Sequence, residues 1–78
     1  MEKIYIVMST TSDGVSTMVC DTPAEAKAGF ITFFESNPNA DIKILEFSRK
    51  SFYQNIAKNF RLSAYLNEGV VINPFTFS

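Results

Sequence analysis

Among its 78 residues the chain has no histidine and a single cysteine, Cys20. That inventory removes the commonest general base at neutral pH, the usual partner of a Ser or Cys nucleophile, and the commonest metal ligand. One thiol cannot by itself hold zinc or an iron–sulfur cluster. No sequence neighbour of Cys20 is basic, so its expected role is that of a small buried hydrophobe. The three glycines form neither GxGxxG nor a P-loop, which leaves no phosphate cradle. Carboxylates remain. Asp13, Asp21 and Asp41 fall in a turn, a pre-helix loop and a strand start, where Asp serves turns and caps. Asp13 and Asp21 stand at opposite ends of one strand, too far apart for a shared site. No catalytic, metal-binding or cofactor-binding residue is assigned, and a protein that is not an enzyme is expected.

The positive signal is charge. From Met1 to Glu46 there are three basic residues (Lys3, Lys27, Lys43) against seven acidic ones, and from Phe47 to Asn67 four basic residues (Arg49, Lys50, Lys58, Arg61) and no acidic one. Segregated charge of this kind steers association. The stretch Ser48–Arg61 also mixes cations with amides and aromatics, as phosphate contacts and base stacking require. On a helix, however, Lys50, Gln54, Lys58 and Arg61 share one face while the aromatics point elsewhere. That is the pattern of a solvated cationic stripe over an aromatic core. With a pI near 5.2, four cations fall short of the basic footprint of a nucleic-acid-binding domain.

The elements that must position these residues are legible. Lys3–Thr11 and Val15–Cys20 are rich in β-branched and apolar residues, and Ser12-Asp13-Gly14 between them signals a hairpin. Ile4, Ile6 and Met8 share one face of the first strand while Tyr5 and Val7 occupy the other, which makes that strand central. Thr22-Pro23-Ala24-Glu25 reads as a capped helix start, and Asn37-Pro38-Asn39 as its stop near Ser36. Helical periodicity puts Phe30, Ile31 and Phe34 at the centre of the buried face, opposite a polar stripe of Glu25, Gly29, Thr32 and Ser36. Phe34 is then the side chain on which the fold should depend, and Phe33 lies at the edge of the apolar arc. Asp41–Phe47 is a third strand whose apolar residues switch faces at Leu45, through two-sided burial or a bulge. The helix between the second and third strands is a crossover, which sets those strands parallel. A second helix starts at Ser51. Whether 61–67 continues it to a C-cap at Gly69 or forms a strand turning there is left open by the pattern, with helix favoured. Val70–Ile72 is a short last strand, held to an edge by Pro74.

The fold class expected is therefore α+β: one small domain over residues 1–78, a β-hairpin, helix, strand, helix and short strand, with helices packed on a mixed sheet. Eight Phe and three Tyr supply its core. The apolar run Ile4–Met8 is too short for a signal peptide, and no run approaches the ~20 residues of a membrane span. A cytoplasmic protein is expected, in the host cytoplasm if it is viral. Phe33, Tyr5, Phe75 and Phe77 either lie under the second helix and a folded-back tail or form exposed contact surface.

The leading functional expectation is a non-catalytic protein-interaction module, a small stoichiometric regulator or inhibitor. Arg49, Lys50, Lys58 and Arg61 would be its charged rim, and Phe33, Phe75 and Phe77 its apolar anchors. Phage and mobile-element accessory proteins offer an analogy of size only. The alternative is a small nucleic-acid-binding protein using the basic aromatic segment 49–61. A third reading is a homo-oligomer that forms a site across its interface. No membrane partner is expected.

Overall fold

The computed structural model describes residues 2–57 (side chains through Gln54) and 69–74. The chain runs β1 (Lys3–Thr11), β2 (Gly14–Cys20), α1 (Pro23–Ser36), β3 (Asp41–Ser48), α2 (Arg49–Ala57) and β4 (Val70–Ile72). This is an α+β fold on one four-stranded sheet ordered β2-β1-β3-β4. The question of helix or strand at 61–67 lies outside the described residues.

The hairpin forms where the turn residues place it. Ser12 and Asp13 are the loop, Thr11 pairs with Gly14, and Gly14 takes a φ of +137° that only glycine adopts without strain. Each pairing in the sheet is antiparallel, so the expected mixed sheet is corrected. The crossover through α1 carries β3 past β2 to the far side of β1. β2 and β3 thus run parallel, as expected, but β1 separates them and they share no hydrogen bonds. β4 lies on the other edge.

Both faces of β1 are buried, each by a different helix. Ile4 and Ile6 pack with Leu45, Phe47 and Phe52, the last supplied by α2. Tyr5 and Val7 pack with Cys20, Ile44 and Ala26, the last supplied by α1. Tyr5 is therefore covered by the first helix and not by the second. Along β3 the unbroken register with β1 excludes a bulge, and the face switch at Leu45 is two-sided burial.

The ends of α1 match their signals. Thr22 Oγ1 accepts from the Glu25 N–H at 3.2 Å, and Glu25 Oε2 accepts from the Asp21 N–H at 3.2 Å. This is a capping box whose return bond lands one residue early, with the Thr22 cap worth about 1 kcal/mol. The rotation of α1 about its axis differs from expectation. Ala26 and Gly29 are buried and Phe30 and Phe33 pack on the core, whereas Ile31 is 44% and Phe34 50% exposed. The helix is turned roughly a quarter of a revolution from the face expected, at 100° per residue. The cause is proximity: a Cβ on Gly29 would sit 2.7 Å from Met18 Sδ and 3.3 Å from Val7 Cγ2. The helix rests its smallest residues on the sheet, and that close approach pushes Ile31 and Phe34 outward.

Helix α2 begins at Arg49, two residues before expected. Ser48 ends β3 and caps α2 at once, its Oγ accepting from the Ser51 N–H at 3.4 Å. No helix among the described residues is long and apolar enough to cross a membrane.

Candidate interaction surface

The abrupt passage from β3 into α2 concentrates charged and aromatic side chains at one corner. The Arg49 N–H donates to the Glu2 carbonyl at 2.9 Å, which ties the first turn of α2 to the start of β1. The Arg49 side chain extends the tie. Its Nη2 donates to the Lys3 carbonyl at 3.2 Å, to Asp21 Oδ1 at 3.0 Å and, more weakly, to the Asp21 carbonyl at 3.5 Å. Arg49 thus joins the start of β1, the exit of β2 and α2. Its Nε is buried without a hydrogen-bond acceptor among the described residues, so the clamp leaves one donor unsatisfied. The ion pair with Asp21 is partly solvated, which limits it to about 1 kcal/mol or less.

One helical turn on, the Tyr53 ring centroid lies 6.0 Å from the Arg49 guanidinium carbon, at the outer limit of a cation–π contact. Tyr53 also meets Phe52 edge-on, at 5.4 Å between centroids. Phe52 is buried, whereas Tyr53 is 51% exposed. The helix therefore turns Phe52 to the core and Tyr53 to solvent. Tyr53, Arg49 and Lys50 line an open cleft of about 790 Å³, together with Glu2, Lys3, Ser48 and Gln54. Lys50 is exposed and forms no ion pair with a described residue.

Of the residues expected to meet a partner, the structure brings together Arg49 and Lys50. Phe33 lies elsewhere, on α1, partly buried against the cluster around Val7. Lys58, Arg61, Phe75 and Phe77 lie outside the described residues. The expectation that the aromatics of Ser48–Arg61 form core fails at Tyr53, and the pairing of Arg49 with Asp21 is not part of any local pattern. The i, i+4 spacing of Arg49 and Tyr53 was the available signal for the first; the Asp21 contact spans 28 positions and leaves no local trace.

Burial, with Glu25 and Asp21 adding negative potential, pushes the Cys20 thiol above its ordinary range, so it stays protonated at neutral pH. Burial, then the charge and hydrogen bond of Glu46, raises the Tyr5 phenol. No group of three metal-ligating side chains occurs among the described residues. No family model matches the chain, and no curated protein or solved structure matches it either.

Proposed function

We propose that this protein is a non-catalytic protein-interaction module, a small stoichiometric regulator or inhibitor, that binds another protein through the corner around Tyr53. One observation carries the reading: a half-exposed Tyr53 stands beside Arg49 and Lys50, which has no ion-pair partner among the described residues, at the mouth of an open cleft. Tyr and Arg are the residue types that supply most binding energy in protein interfaces, and Tyr contributes large contact area at low entropy cost. Lys50 would draw in an acidic surface and set the salt dependence of encounter. A cytoplasmic setting belongs to the same proposal, in keeping with a chain that has a single cysteine and so no internal disulfide.

The test uses the wild-type protein and a Lys50→Glu/Tyr53→Ala variant as baits in a lysate of the cells that make it, each first shown to be folded by circular dichroism. The reading expects a protein captured in stoichiometric amount by the wild type and lost with the variant. Equal capture by both baits would contradict it. Tight, steeply salt-dependent mobility shift of short DNA or RNA by the wild type would favour the nucleic-acid alternative instead.

A further inference from the structure

Strand β2 closes one side of the sheet, and its outer edge pairs with no described element. The two-residue loop makes Thr11 and Gly14 a hydrogen-bonded pair, and bonded pairs then alternate along the hairpin as Ser9 with Ser16, Val7 with Met18 and Tyr5 with Cys20. Val15, Thr17 and Val19 therefore aim their backbone N–H and C=O groups away from β1. Natural edge strands are usually blunted by a charge, a proline or a bulge. From Gly14 to Cys20 this one has no charged residue and no proline, and its register with β1 is unbroken. Its two valines are open to solvent, Val15 at 58% and Val19 at 50%.

We propose that β2 pairs antiparallel with β2 of a second copy of this chain, about a two-fold axis at Thr17, joining two sheets into one. The segment Val15-Ser16-Thr17-Met18-Val19 is symmetric about Thr17 in its valines. The axis sets Val15 opposite Val19 of the second copy, Thr17 opposite Thr17, and Val19 opposite Val15. All three pairs are ones whose backbone groups face outward, so the ladder closes with six N–H···O bonds. Both valine pairs fall on the same face. An axis lying between two residues would oppose an outward-facing residue with an inward-facing one and form no ladder. An axis at Val15 would bring Asp13 into the ladder, and one at Val19 would set Pro23, which lacks an N–H, opposite Val15.

Charge favours the same register. The paired stretch holds no charge, so no like charges meet within it. At its flanks Asp13 approaches Asp21 of the second copy, whose carboxylate Arg49 already holds at 3.0 Å. The acid meets an ion pair instead of a bare carboxylate. The area limits the strength. Five paired residues span about 17 Å, which places the interface below the ~800 Å² per partner of standard complexes, so the dimer dissociates on dilution. The assembly is isologous and closed, consistent with a soluble dimer and not a fibre.

Sedimentation equilibrium over a hundredfold range of concentration tests this. The wild type should pass from monomer to dimer and stop there. A Val15→Lys/Val19→Lys variant sets lysine against lysine twice and should weaken dimerisation about tenfold or more, while Val15→Glu/Val19→Lys sets Glu against Lys and should retain it. Both alter side chains exposed in the monomer, and unchanged circular dichroism checks the fold. Thr17→Pro removes only an outward-facing N–H and should leave the protein monomeric. A wild type that stays monomeric throughout, a Lys/Lys variant that dimerises like the wild type, or Glu/Lys and Lys/Lys variants weakened alike would overturn the proposal.

Discussion

Arg49 shows how a charged residue is drawn into holding a fold together. Its charge was legible in the sequence, but its role was not, because the groups it binds come from Lys3 and Asp21, remote in the chain. Its backbone N–H and Nη2 hold α2 to the hairpin, which leaves Lys50 and Tyr53 as the freer parts of the corner. The buried Tyr5 and Cys20 carry a different, testable consequence. Burial raises the phenol above its ordinary 10.0 and the thiol above its ordinary 9.0. The folded state then keeps protons that the unfolded chain releases. Their contribution is complete below about pH 9 and is lost as pH climbs through the raised folded values. Thermal melting between pH 7 and 11 should show stability falling above pH 9, and Tyr5→Phe should flatten the fall above pH 10. A fall of equal slope in wild type and Tyr5→Phe would contradict this assignment.

At the scale of elements, boundaries were more legible than faces. The Asp13-Gly14 turn, the Thr22–Pro23–Glu25 start and the Asn37–Pro38 stop each carry a local backbone reason, and each lies where its residues place it. The rotation of α1 has no such local mark, because Ala24, Ala28, Ile31 and Phe34 make the wrong side as apolar as the right one. Closeness of packing decides it, and Gly29 is the residue that permits that closeness. The expectation that the fold depends on Phe34 reverses accordingly. Phe34→Ala should change stability by less than about 1 kcal/mol, as half-exposed positions do. Phe52→Ala, which empties the cluster around Ile4 and Ile6, should cost about 3–5 kcal/mol. Urea unfolding of both variants checks the pair. A loss at Phe34 equal to that at Phe52 would mean that α1 packs through its other face.

For the whole molecule, the division of charge along the chain is softened by folding. Arg49 of the basic segment pairs with Asp21 of the acidic one, so the two charged regions meet at the corner where β1, β2 and α2 come together, while Lys3 pairs with Glu46 inside the acidic region. A charge count along a sequence cannot anticipate this, since it ignores which segments become neighbours. What survives is local: Lys50 without a described counter-ion, beside an aromatic ring, over an open cleft. If that corner is where the protein meets its partner, its parts should govern different rates. Long-range attraction acts before contact, whereas a buried ring must be withdrawn for the complex to separate. The direct measurement is the binding kinetics of the captured partner, at several salt concentrations, with wild type, Lys50→Glu and Tyr53→Ala. Lys50→Glu should slow association severalfold and flatten its salt dependence, and Tyr53→Ala should speed dissociation with little change in association. Unchanged rates in both variants, with the fold intact, would contradict an interaction surface at Tyr53.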